Sequence, residues 1–169
     1  IPVLRKYGEQ CEHITEFGVR EGASTSAWLM ARPKKLICYD VGTYPSVHII
    51  AGAATKNAVS FQFIQANTAE VMIETTDLLF IDTVHNADQL ALELDFNNLK
   101  VRKFIILHDT DTYGIVGESG ASGLWRCLIP FLLESTIWKI HEHRPESNGL
   151  TVLKRIHKLM KKLTDSETP

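Results

Sequence analysis

No apolar run in this chain reaches the roughly 18 residues that a membrane-crossing helix needs, and the opening Ile1-Pro2-Val3-Leu4-Arg5-Lys6 lacks the order of a secretory signal. A soluble chain with no membrane partner is expected, cytoplasmic by default. Charge of one sign is also missing: 18 Lys and Arg stand against 20 Asp and Glu, a formal net charge of -2. Nothing here asks for a nucleic-acid partner. Cysteine is scarce, and Cys11, Cys38 and Cys127 stand far apart with no Cys-x-x-Cys pair. Reduced thiols are expected rather than a disulfide framework or a clustered zinc site. Internal repeats and low-complexity linkers are absent, and 169 residues make one sizeable core but not two. Residues 1–169 are therefore expected to form a single domain. The chain opens on Ile1 rather than Met, which reads as a trimmed chain or a piece of a longer polypeptide, leaving room for a fused partner domain.

What is present is alternation. A short helix is expected over 3–12, a strand over 13–18, a helix over 22–32 stopped by Pro33, and a strand Leu36-Ile37-Cys38-Tyr39. Then come a helical segment 46–57, the strand Phe61-Gln62-Phe63-Ile64, one or two helical turns over 69–74, and the buried-type strand Leu78-Leu79-Phe80-Ile81. An amphipathic helix over 86–99 leads to the strand Phe104-Ile105-Ile106-Leu107, and a helix over 122–134 follows. Continuous apolar strands alternating with helices predict a doubly wound, mostly parallel sheet in a three-layer α/β/α fold. The end differs: Thr136–Ile140 and Leu150–Leu153 flank a polar loop and read as an antiparallel hairpin at the sheet edge, giving seven strands. Lys154 to Lys162, with five Lys or Arg, reads as a solvated helix face.

The most informative stretch is Ile14-Thr15-Glu16-Phe17-Gly18-Val19-Arg20-Glu21-Gly22-Ala23-Ser24. A strand meets a glycine, turns through three residues to a second glycine, and opens into a helix. Glycine allows backbone to approach a ligand, and the helix start offers unpaired N–H groups. The dinucleotide fingerprint needs a third glycine, which is missing. Glu16 adds a carboxylate suited to a cationic ligand rather than a pyrophosphate. The Glu-Phe-Gly-x-x-x-Gly pattern resembles the first motif of class I S-adenosylmethionine-dependent methyltransferases. The Asn148-Gly149-Leu150 entry to the last strand, and the hairpin finish itself, also look like that family. The resemblance spans roughly residues 12 to 155 and implies cofactor contacts from Glu16, Gly18, Arg20, Gly22 and Ser24.

The parallel strands all end on one edge of the sheet, where ligands bind in open α/β folds. The glycine turn, Asp40, Asp82-Thr83-Val84-His85 and His108-Asp109 converge on that edge. Asp40 lies 22 residues beyond Gly18, the distance at which an acidic residue bonds adenosine ribose hydroxyls in NAD and S-adenosylmethionine folds alike. Asn67 and Thr68 stand where the adenine would be reached, or else form a turn with a helix cap. Asp82, His108 and Asp109 offer an oxygen and nitrogen set for a divalent cation, or else a core histidine between two capping aspartates. His85 is either the base for an acceptor hydroxyl or a solvated loop residue. Tyr113 to Gly123 reads as a loop over the substrate or a slack connection, with Trp125 and Arg126 candidates for the acceptor pocket.

Asp82-x-x-His85 followed by His108-Asp109 resembles the metal-dependent sugar O-methyltransferases and cephalosporin-hydroxylase-like proteins within class I. That resemblance implies Asp82, His108 and Asp109 as ligands of a divalent metal, magnesium or alternatively manganese, with Asp82 also near S-adenosylmethionine. It further implies His85 as base and a sugar, glycan or similar small hydroxylated acceptor. The branch usually carries Glu-Asp where this chain carries His108-Asp109. Two other readings are an NAD-dependent oxidoreductase, opposed by the missing glycine and by the lack of a Tyr-x-x-x-Lys pair, and a non-catalytic cofactor-fold module. A short chain of this kind leaves room for a homo-oligomer to roof its pocket.

Overall fold

In the computed structural model, residues 1–156 are described. The helices are α1 (Pro2–Gly8), α2 (Ala23–Ala31), α3 (Ser46–Lys56), α4 (Ala87–Asn97) and α5 (Leu124–Glu134). The strands are β1 (His13–Phe17), β2 (Lys35–Asp40), β3 (Ser60–Gln65), β4 (Thr76–Ile81), β5 (Val101–His108), β6 (Trp138–Arg144) and β7 (Leu150–Arg155). They form one seven-stranded sheet in the order β3-β2-β1-β4-β5-β7-β6. The first five run parallel, and β7 pairs antiparallel with both β5 and β6. The expected doubly wound sheet with its hairpin finish is the observed one.

The layers follow from strand alternation. In β4, Leu78 and Phe80 enter a core cluster with Leu4, Trp28 and Ile50, under α1, α2 and α3. Leu79 and Ile81 enter the opposite cluster with Leu90, Leu94 and Leu128, under α4 and α5. A strand covered on both faces favours apolar residues in succession, as from Leu78 to Ile81, and β4 is buried throughout. β3, at the sheet edge, alternates instead.

Local departures from expectation have local causes. α1 ends at Gly8, where an added Cβ would collide with Ala31 of α2. The turns expected over 69–74 shrink to a 3-10 turn at Thr68–Glu70. Beyond it, the Asn97 side chain claims the backbone, accepting from Ile73 N at 2.9 Å and donating to Val71 O at 3.0 Å. The strand expected from Thr136 starts at Trp138, because the Ser135 hydroxyl accepts from the N–H groups of Ile137 and Trp138. Lys154 and Arg155 belong to β7 rather than to a helix, and the rest of that expected segment lies outside the described residues.

The winding reverses between β1 and β4, which are direct neighbours with Phe17 opposite Ile81. The chain leaves both strands at this switch point, the standard position for a ligand crevice.

Candidate active site

Gly18 leaves β1 with φ 86° and Gly22 starts α2 with φ 79°, both in the left-handed region. At Gly18 a Cβ would meet the backbone carbonyl of Asp82, so glycine is required for β1 and β4 to end side by side. Between the glycines, Val19 N and Arg20 N donate to Asp40 Oδ2 at 2.7 and 3.1 Å, while Gly42 N donates to Oδ1 at 2.9 Å. Asp40 is 6% exposed. Its carboxylate, expected to meet a ribose, is committed to fixing the turn on which a cofactor would rest.

Glu16 also departs from expectation. It is fully buried, and its carboxylate accepts from Thr25 Oγ1 at 2.6 Å, Trp28 Nε1 at 3.1 Å and Cys38 Sγ at 3.1 Å. Burial pushes its pKa up to about 7, against the opposing hydrogen bonds from Ser24, Thr25, Cys38 and Trp28. It braces α2 against β1 and β2 rather than facing a ligand. Asn67 is an exposed cap whose Oδ1 accepts from Ala69 N, and the buried Thr68 hydroxyl donates to Glu93 at 2.6 Å. The turn-and-cap reading describes this pair as the structure shows it.

At the ends of β4 and β5 the expected constellation assembles. Asp82, His108 and Asp109 each offer a ligand atom, all within 4.8 Å of one another. Neighbouring residues on a strand point to opposite faces. Asp109 escapes that alternation by taking φ 57° just beyond β5, and so comes to share a site with His108. His108 Nδ1 lies 3.3 Å from Asp109 Oδ1 and 3.7 Å from Asp82 Oδ1. Yet His108 Nδ1 and Asp109 Oδ1 are buried with no hydrogen-bond partner. Buried polar atoms without partners are costly. Three convergent donors, two of them orphaned, fit a divalent cation.

His85 joins this group. Its Nε2 sits 2.8 Å from Asp109 Oδ2 and 3.2 Å from Asp82 Oδ1, and its Nδ1 donates to the Glu118 carboxylate. Its ring stacks on Tyr113, centroids 4.7 Å apart at 15°. Burial disfavours the charged ring, but Asp109, Asp82 and Glu118 outweigh it and raise the pKa to about 10. Asp109 is held well below the usual carboxylate range, because its contacts with the two histidines exceed the cost of its burial.

Glu118 was not legible in the sequence. The glycine-rich loop expected to cover substrate, or to be slack, is pinned to the turn after β4. Glu118 N donates to His85 O at 3.0 Å, Ala87 N donates to Ser122 O at 2.8 Å, and Val116 bridges Ser122. Its one advance signal was Gly117, where a Cβ would collide with the backbone at His85. Trp125 donates to Thr110 O at 2.8 Å and packs edge-on against His143, while Arg126 is exposed. Neither lines the clefts described next.

A cleft of about 370 Å³ opens over the glycine turn, lined by Val19, Arg20, Ser24, Phe80, Asp82 and His108 among others. A second, also about 370 Å³, shares Ile1, Leu4 and His108 with it and extends to Arg144, Ser147 and Leu150. A roomier groove, about 710 Å³ along α1, α2 and α3, holds none of the carboxylates or histidines of this cluster. The cluster borders the two smaller clefts, which meet at His108.

No protein-family model and no curated protein matches this chain. Solved structures do. It is similar to the O-methyltransferase TomG of Streptomyces achromogenes in complex with SAM, at 14% identity and a TM-score of 0.63, over 92% of this chain and 80% of that one. It is similar to the 1,6-didemethyltoxoflavin-N1-methyltransferase of Burkholderia thailandensis with bound S-adenosylhomocysteine, at 12% identity and a TM-score of 0.66, over 92% and 77%. The N-methyltransferase NodS of Bradyrhizobium japonicum with S-adenosylhomocysteine matches at 16% identity and a TM-score of 0.62, over 92% and 85%. The chain thus has the fold of the class I S-adenosylmethionine-dependent methyltransferases.

Proposed function

We propose that this chain is one methyltransferase domain that moves a methyl group from S-adenosylmethionine to a hydroxyl of a sugar, glycan or similar small acceptor, assisted by a divalent cation. One observation carries the reading. On a methyltransferase fold, the cleft beside the pinned glycine turn and the His-Asp cluster share Asp82 and His108. The sugar class is supported by the likeness of the Asp82-x-x-His85 and His108-Asp109 spacing to sugar O-methyltransferases.

When bound, S-adenosylmethionine supplies an electrophilic methyl and the cation makes an acceptor hydroxyl more acidic. The chain's own residues do the rest. Asp40 fixes the turn through Val19 N and Arg20 N, presenting Arg20 and Ser24 to the cleft. Asp82, His108 and Asp109 would hold the cation. On their own, Asp82, Asp109 and Glu118 keep the His85 ring protonated; with Asp82 and Asp109 neutralised by the cation they would hold, Nε2 would be freed to take up the proton leaving the acceptor. Glu118 holds the other ring nitrogen, and Tyr113 holds the ring plane. Because the methyl donor is already reactive, alignment provides much of the acceleration.

The test is isothermal titration with S-adenosylhomocysteine and with NAD, each with and without a divalent cation. Binding of S-adenosylhomocysteine and not NAD is expected. Binding of NAD alone would sink the reading.

A further inference from the structure

The donor set of the cation site contains a nitrogen, and that bears on which cation it holds. Magnesium is a hard ion that favours oxygen ligands in near-octahedral geometry and keeps several waters, whereas imidazole suits first-row transition metals. His108 sits at the end of the sheet. It ends β5 opposite Leu150 of β7, and its ring packs against Phe80 with centroids 6.3 Å apart. Its Nδ1 is buried and unpartnered beside the equally unpartnered Asp109 Oδ1, and Asp109 is itself only 8% exposed. The left-handed turn at Asp109, φ 57°, aims that second donor at the same point. His108 Nδ1 lies 3.3 Å from Asp109 Oδ1 and 3.7 Å from Asp82 Oδ1, separations open to ligands roughly 2.0–2.3 Å from one shared ion.

We propose that His108 Nδ1 is a direct metal ligand and that it makes this a site for a first-row transition cation, of the manganese-to-zinc group, in preference to magnesium. The inference rests on the metal-assisted reading above and narrows it. Asp82 and Asp109 supply the charge that any divalent ion requires, and His108 supplies the selectivity.

The experiment uses the full chain stripped of metal, titrated by calorimetry with Mg2+, Mn2+ and Zn2+. Pulsed electron paramagnetic resonance is then recorded on the Mn2+-loaded protein. Manganese and zinc are expected to bind at least about tenfold more tightly than magnesium, and the resonance is expected to show a directly coordinated 14N. His108→Asp restores an all-oxygen set. It should abolish the 14N coupling and narrow the manganese-to-magnesium ratio by about tenfold. Magnesium binding as tightly as manganese, no 14N coupling in the native protein, or a coupling that survives in His108→Asp would each overturn the assignment. Because His85 Nε2 also lies beside Asp82 and Asp109, His85→Gln is the second variant: the 14N coupling should persist in it, and its loss there would overturn the assignment to His108 even if His108→Asp fails to fold. Binding of S-adenosylhomocysteine in the same preparation separates the two readings. Its loss would count against the methyltransferase, whereas the resonance alone decides the ligand.

Discussion

The backbone carbonyl of Asp82 occupies the space that a Cβ on Gly18 would need. The glycine turn and the end of β4 are therefore fitted to one another through main chain alone. Gly18→Ala combines this collision with a φ of 86°, and a loss of roughly 3 kcal/mol or more is expected. Gly120→Ala, with φ +80° but open space around it, should cost only about 1–2 kcal/mol. Urea unfolding of the two variants checks the contrast; equal losses would show that the close approach of β1 and β4 is not what selects glycine.

Asp40 gives both carboxylate oxygens to backbone N–H groups, at Val19, Arg20 and Gly42. Asp40→Asn can satisfy only one side, because its NH2 must then face a donor. A loss of roughly 1–3 kcal/mol is expected, together with weaker binding of S-adenosylhomocysteine. Weaker binding at unchanged stability would mean that the carboxylate meets the cofactor directly.

Glu16 gives the fold a pH dependence with a definite sign. Its folded-state pKa of about 7 lies above its ordinary 4.5, so between those values the folded chain holds a proton that the unfolded chain releases. Its contribution to stability therefore falls as pH rises from 4.5 to 7 and is level above that, a difference of roughly 3 kcal/mol. Glu16→Gln keeps an oxygen for Trp28 and turns its NH2 toward Thr25 and Cys38, which can accept. The variant should lose this slope, seen by comparing its urea midpoints at pH 5 and pH 7.5 with those of the parent. A parallel pH profile would contradict the assignment, and loss of S-adenosylhomocysteine binding would restore Glu16 to the cofactor site.

Glu118 holds His85 from the side opposite Asp82 and Asp109. Replacing His85 with Ala should lower kcat by roughly 10²–10⁴-fold. Glu118→Gln, which leaves the ring in place but loosens its orientation, should cost roughly 10–100-fold with little change in KM. Transfer of labelled methyl to a hydroxylated acceptor measures both. An unchanged kcat in Glu118→Gln would reduce the contact to loop packing.

The architecture was legible because β2, β4 and β5 are covered on both faces, so sequence carries Leu36 to Tyr39, Leu78 to Ile81 and Phe104 to Leu107 as unbroken apolar runs. Asp40, Asp82 and Asp109 were found for the same reason, as the first carboxylates where those runs stop. What escaped was whatever depends on which layer covers a strand. Alternation places Glu16 on the same face as Ile14, but not that Thr25, Trp28 and Cys38 would enclose it. Glu118 escaped because its partner is 33 residues away, and no periodicity links a loop to the turn on which it folds back. The Asn67-Thr68 pair shows the reverse limit: position suggested a ligand contact, while ordinary cap chemistry and the buried Glu93 use both side chains.

The sheet order also sets when this site can exist. β7 lies between β5 and β6, and its entry holds the backbone just past His108: Thr110 N donates to Gly149 O, Asp111 N to Asn148 O, and the Thr151 hydroxyl, 41 positions further along, to that of Thr110. On a growing chain, His108 and Asp109 emerge well before the strand that fixes them. Until Leu150 to Arg155 slot in, β5 is an open edge, and the backbone just past His108 lacks the partners that fix its course. A cation site built on His108 and Asp109 would therefore be complete only once the last strand has joined the sheet.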